Sequence, residues 1–138
     1  MAGDVLDPPP SGTPDGGGRR SGRDDPASAD LLSRQAEDLV RPLRRWTASS
    51  WRLPPEGPAP DTRAEAAHLA VQRIADLGAD AELRTRRPVP RINDLVLADQ
   101  LAVVIGDVVR TGDPTAVRET ARVLDMLRVV LGLRPARA

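Results

Sequence analysis

Gly112-Asp113-Pro114 stands between the two most regular apolar patterns in the chain and constrains both. It combines a turn, an aspartate suited to capping a helix, and a proline suited to the first helical position, where its missing N–H costs nothing. Upstream, DLVLADQLAVVIGDVV is the most apolar run in the sequence. Wound as a helix over Asp94–Thr111, it puts Leu97, Ala98, Leu101, Val104, Ile105 and Val108 on one broad face. Asp99, Asp107 and Arg110 fall on the other side, and so does Val103. Asn93 or Asp94 is placed to accept a bond from the free amides of the first turn.

Downstream of Pro114, the residues Val117, Ala121, Leu124, Leu127, Val130 and Leu131 recur at helical spacing. Arg118, Arg122, Asp125 and Arg128 lie outside that stripe. Asp125 is spaced to pair with Arg122 or Arg128, at about 0.2–0.5 kcal/mol for each pair. Gly132 sits where a left-handed residue closes a helix. So short a turn between two helices predicts an antiparallel helical hairpin. LAVVI and LRVVLGL are also rich in β-branched residues and read alternatively as buried strands. Their length and the paired caps favour helices.

The remainder of the core must be aliphatic. The chain has 138 residues, no Phe, no Tyr and two tryptophans, Trp46 and Trp51. That length suits one small domain with a tail. Formal net charge is zero, which provides no global attraction to nucleic acid or to an acidic membrane. Every basic residue is arginine, and Ala, Pro, Gly and Asp are frequent. A GC-rich genome encodes such residues by codon bias, so arginine richness alone is no functional signal. With no cysteine, disulfides, thiolate metal sites and cysteine nucleophiles are excluded. No signal peptide and no run of roughly 18 apolar residues is present, so a cytoplasmic location is expected, with no membrane span.

Residues 1–27 are proline, glycine and charge, with Val5 and Leu6 the only sizeable apolar side chains. They are expected to be disordered. A helical bundle domain is expected over residues 28–133. It opens with Ser28 or Asp30 as a cap and with Leu32, Ala36, Leu39, Leu43 and Trp46 as a stripe. Pro42 interrupts that stripe and predicts a kink, or two short helices meeting at Arg41. LPPEGPAP, half of it proline, forms a stiff spacer. Thr62-Arg63-Ala64-Glu65 matches the capping box that opens a helix. Ala67, Ala70, Val71, Ile74 and Leu77 then form its buried stripe. Gly78 is read as tolerated within that helix, which continues through ADAEL and stops before Pro88. RRPVPRIN is a second proline-bearing connector, and RPARA a frayed end.

Chemistry-bearing patterns are few. His68 is the only histidine, and it lies away from the centre of the alanine stripe with no sequence partner. A solvated or edge-packed histidine fits it better than a general base. No phosphate loop, dinucleotide fingerprint, zinc-helix or nucleophile-elbow motif occurs. Asp94, Asp99 and Asp107 fit a solvated helix face better than a metal site. No catalytic residue, metal ligand, cofactor or small-molecule substrate is assigned.

The segment from Leu39 to Pro55 has no acidic residue but holds Arg41, Arg44, Arg45 and Arg52 with both tryptophans. Arginines beside Trp46 and Trp51 suit phosphate contacts with base stacking, or an anionic membrane surface. Trp46 fits a core anchor, at helical spacing from Leu39 and Leu43, better than a binding residue. Trp51 fits either a cover over one end of the bundle or an exposed anchor for a partner. Val96, Val103 and Val129 are outer valines and form a second candidate surface. Charge is also segregated: the Asp94–Asp113 segment carries four aspartates against Arg110, while both acid-free connectors are basic.

The order RRW, a proline linker, TRAEAAHLAVQRIADLGADAE, PVP and LADQLAVVIGDVV resembles small helical proteins encoded by high-GC actinobacteria. The resemblance spans residues 40–131 and implies no activity and no site. The expected fold is an all-α bundle of three long helices with one or two short N-terminal pieces. The expected function is a non-enzymatic interaction or regulatory module that binds a protein partner or itself, with nucleic-acid binding through Arg41–Arg52 as the alternative.

Overall fold

The structure is a computed structural model and describes residues 26–58 and 60–133. The disorder expected of the N-terminal tail and the fraying expected of RPARA fall on residues outside that range, apart from Pro26 and Ala27. All described regular structure is helical: α1 (Pro26–Leu43), α2 (Ala48–Arg52), α3 (Arg63–Ala81), a 3-10 turn (Asp94–Val96), α4 (Leu97–Thr111) and α5 (Pro114–Val130). The strand alternative for LAVVI and LRVVLGL is therefore set aside.

Local chemistry explains most helix ends. Thr62 accepts from the Glu65 amide at 3.1 Å and starts α3, which satisfies one of the free donors of its first turn. Asp113 accepts from the Ala116 amide at 2.8 Å, with Pro114 beginning α5. Asn93, not Asp94, caps the next segment by accepting from the Leu95 amide at 2.8 Å. That cap opens the 3-10 turn, and α4 proper begins only at Leu97.

Two N-terminal expectations need correction. Pro42 does not split α1 into two helices at Arg41. It sits next to the last residue of a single 18-residue helix, and its missing N–H costs the last turn one backbone bond without ending the helix before it. Hence α1 is as long as the other helices, and the bundle has four long helices rather than three. Of the expected stripe, Leu32, Ala36, Leu39 and Leu43 are buried, joined by Val40, while Trp46 lies beyond the end of α1 and is half-buried.

The four long helices bury one aliphatic core. Both α1 and α3 pack against α4 and also against α5, whereas α4 and α5 touch each other little. The two helices expected to form a hairpin thus follow one another through a two-residue link but find their packing partners elsewhere. Broad apolar faces explain this: the buried side of α4, from Leu97 and Ala98 round to Ile105 and Val108, is wide enough for two neighbours.

Two contacts fix helix directions. Arg44 near the end of α1 meets Asp99 near the start of α4 at 3.0 Å, so these run antiparallel. Gly78 near the end of α3 lies against Val108 near the end of α4, so these run parallel. The connector between them, residues 82–93, must therefore travel back along the bundle. Gln72 of α3 holds it in passing: its amide oxygen accepts from the Val89 amide at 2.7 Å, and its nitrogen donates to the Arg87 carbonyl at 3.0 Å. Gln100 of α4 donates to the Pro90 carbonyl at 3.1 Å.

Candidate partner-binding surfaces

The tryptophans and arginines of the Arg41–Arg52 segment separate in space. Thr47 caps the short helix α2 by accepting from the Ser50 amide, and α2 turns Trp51 inward, where it is 1% exposed. Trp51 is therefore the cover over one end of the bundle. Trp46 packs edge-on against it, with ring centroids 4.8 Å apart. The Arg63 guanidinium lies over the Trp46 ring at 4.7 Å from its centroid, a cation–π contact of about 0.5–1 kcal/mol at a partly exposed site. Arg63, outside the segment singled out from sequence, is thus the arginine that meets a tryptophan. Only three-dimensional closure of the LPPEGPAP connector brings it there, and no local pattern announces it.

The segment's own arginines point outward. Arg41, Arg45 and Arg52 are exposed, and Arg44 pairs with Asp99. Bases have no free indole on Trp51 to stack upon, and the Trp46 ring already carries Arg63. The arrangement offers separate exposed guanidinium groups rather than a stacking platform.

The valine candidates behave differently. Val103 on α4 is 61% exposed and Val129 on α5 is 68% exposed, whereas Val96 is half-buried in the 3-10 turn. Met126 is 68% exposed and lies three residues before Val129, so the two are neighbours on one helix face. Its position outside the α5 stripe was visible in the sequence, but it was not picked out. Between α1 and α4 runs an open groove of about 390 Å³, with Val40, Ala102, Ile105 and Val109 on its walls and Arg34 and Glu37 at its rim.

The remaining polar candidates are placed as follows. His68 is half-buried on α3, one turn before the Gln72 clamp. The three aspartates of the 94–111 segment are each matched with an arginine: Asp94 with Arg91 at 3.2 Å, Asp99 with Arg44, and Asp107 with Arg110. Among the described residues, no group of three or more His, Asp or Glu is placed to hold a metal ion. No helix among them is long and apolar enough to cross a membrane. Asp125 accepts from Gln35 of α1 at 2.8 Å, which links two helices, and Arg122, one of its two expected partners, pairs with Glu119 instead. No protein-family model, curated protein or solved structure matches the chain.

Proposed function

We propose that the protein is a non-enzymatic interaction module whose partner is another protein, recognised through exposed apolar side chains of α4 and α5. The observation that supports this reading is the exposure of Val103, Met126 and Val129 on helices whose opposite faces are fully packed. Their stripes are satisfied by the core, so these three side chains have no role in closing the bundle. Neighbouring exposed apolar side chains such as Met126 and Val129, one turn apart on α5, suit an interface.

The test is a pull-down of tagged protein from its native cell extract after nuclease treatment, run beside a Val103→Asp, Met126→Asp, Val129→Asp variant. A stoichiometric protein recovered by the parent and lost by the variant, with helical circular dichroism unchanged, supports the reading. Equal recovery by both proteins removes it. The exposed Arg41, Arg45 and Arg52 favour a second reading, nucleic-acid binding through phosphate contacts alone. It predicts affinity that falls steeply with salt and is unaffected by substitution of either tryptophan with phenylalanine.

A further inference from the structure

The groove between α1 and α4 is apolar at its floor and mainly basic at its rim. It runs from Ser33 to Arg44 on α1, about 16 Å at 1.5 Å of rise per residue. Val40 and Ile105 form the floor and are almost fully buried. Gly106 keeps the α4 wall low: a Cβ there would meet only the Arg110 guanidinium, at 3.8 Å. Of the charged side chains lining the groove, Arg34 and Arg44 are basic and Glu37 alone is acidic. Arg44 pairs with Asp99, but Arg34 has no acidic partner among the described residues.

Size decides what can occupy it. Ten residues line the groove, against the roughly 20–30 that each side of a stable interface between folded proteins supplies. Its length suits an extended segment of about five residues, at about 3.3 Å each. Floor and rim ask for apolar side chains flanked by carboxylates. Ahead of α1 the chain carries one such segment, Asp4-Val5-Leu6-Asp7. The linker behind it, residues 7–25, is rich in glycine and proline and has no Val, Leu, Ile, Met or aromatic residue. On the scale of glycine-rich linkers, that length spans about 22–26 Å. From Pro26, where α1 begins, Ala36 and Val40 lie about 15–21 Å along the helix. A tether whose reach matches its span gives a local concentration in the millimolar range. Even a weak site is then filled by the chain's own segment ahead of a dilute partner.

We propose that Asp4-Val5-Leu6-Asp7 docks in the α1–α4 groove of its own chain and closes it. Val5 and Leu6 cover Val40 and Ile105. The linker returns to the N-terminal end of α1, so Asp7 lies toward Arg34 and Asp4 toward Arg44. Glu37, between the two arginines along α1, is exposed to water, which screens it from both aspartates. A short acidic peptide from another molecule then reaches the groove only by displacing this segment, which acts as a built-in competitor. The closure uses α1 and the adjoining flank of α4, and does not rest on the surface of Val103, Met126 and Val129 proposed above.

The experiment uses the full chain, which has no cysteine, so Gly3→Cys accepts a single nitroxide spin label beside the segment. Amide signals of the isotope-labelled protein are then compared with the label active and reduced. The expected result is strong broadening at Ala102, Gly106 and Val109, with the amides around Leu69 on α3 left sharp. Val5→Asp with Leu6→Asp, which leaves the bundle untouched, abolishes that broadening. Gly106→Leu abolishes it too, by filling the groove with a good helix former. Broadening spread evenly over the surface, or centred away from the groove, overturns the proposal. So does broadening at the groove that survives both variants. Mixing spin-labelled chain with separately isotope-labelled chain reads a second copy or an outside peptide-like contact. Broadening at Gly106 as strong in that mixture as within one chain overturns docking in the same molecule. None of these variants alters Val103, Met126 or Val129, so the result stands apart from the pull-down.

Discussion

The two proline-bearing connectors are held to the bundle in opposite ways. The first, after α2, is tied by main chain to main chain: the Glu56 amide donates to the Val130 carbonyl at 2.8 Å, and the Arg63 amide to the Leu53 carbonyl at 2.9 Å. Beneath it lies the Trp46–Trp51–Arg63 stack. The second, after α3, is tied by side chains, through the amides of Gln72 and Gln100 and the Arg86 guanidinium on Asp80. The first is a plug over hydrophobic surface, the second a strap over polar clips. The difference teaches that proline content alone says how stiff a connector is, not how firmly it is held. That is decided by what lies underneath.

The largest expected effect tests the plug. Trp51→Ala removes the largest fully buried side chain and leaves Trp46 and Arg63 without their support. A loss of about 3–5 kcal/mol in urea unfolding is expected. A loss under 1 kcal/mol would place the stabilising weight of this end elsewhere. The strap should respond less. Gln72→Ala leaves the half-buried Val89 amide without its acceptor, and costs about 1–3 kcal/mol. Its distinguishing sign is local: hydrogen exchange at Val89 accelerates while that at Glu56 stays slow.

How much of this was legible follows from the range of the forces involved. Thr62, Asp113-Pro114 and Gly132 announce helix ends because a cap is satisfied within three or four residues. The buried face of α4 was legible entire, since a broad stripe survives small errors of phase. The stripe of α5 was read slightly rotated: Thr120 is fully buried, while Ala121 and Val130 are only half-buried. A threonine hydroxyl weighs against burial in sequence, yet α1 and α3 flank α5 on both sides. The stop of α3 at Ala81 was not legible, because helix formers follow it and no glycine marks the left-handed turn at Leu83. Arg63 over Trp46 was missed because only closure of the first connector brings the two together. The exposure of Val103 and Val129 was legible, and the inward turn of Trp51 was not, since its direction depends on a five-residue helix.

A smaller effect sharpens the comparison between helix ends. The ends of α3 and α5 close with the same pair of hydrogen bonds, one around Leu83 and the other around Gly132 at φ 74°. Leu83→Gly should stabilise the fold and Gly132→Ala should destabilise it, each by about 1 kcal/mol. A Cβ on Gly132 would meet its nearest neighbour at 3.5 Å, an ordinary contact, so backbone conformation rather than crowding is measured there. Equal signs for the two substitutions would show that the two turns are not equivalent.

The smallest effect concerns pH and separates strap from plug. The Arg86 guanidinium bonds both carboxylate oxygens of Asp80, at 3.0 and 2.7 Å. That hydrogen bond holds the Asp80 carboxyl below its ordinary value of 3.8. The folded chain therefore binds this proton less readily than the unfolded chain does, and the pair stabilises fully above the ordinary value. Its contribution is lost as pH falls through 3.8 and below. Both side chains are about half exposed, 55% and 49%, so water and salt keep the effect slight. Asp80→Asn should be less stable than the parent near neutral pH, with the gap closing in acid and in high salt. The strap alone should feel it: protection at Val89, corrected for intrinsic exchange, should fall in acid relative to protection at Glu56. If both amides lost protection together, the two connectors would be one cooperative unit, and the contrast between plug and strap would be one of chemistry without consequence for motion.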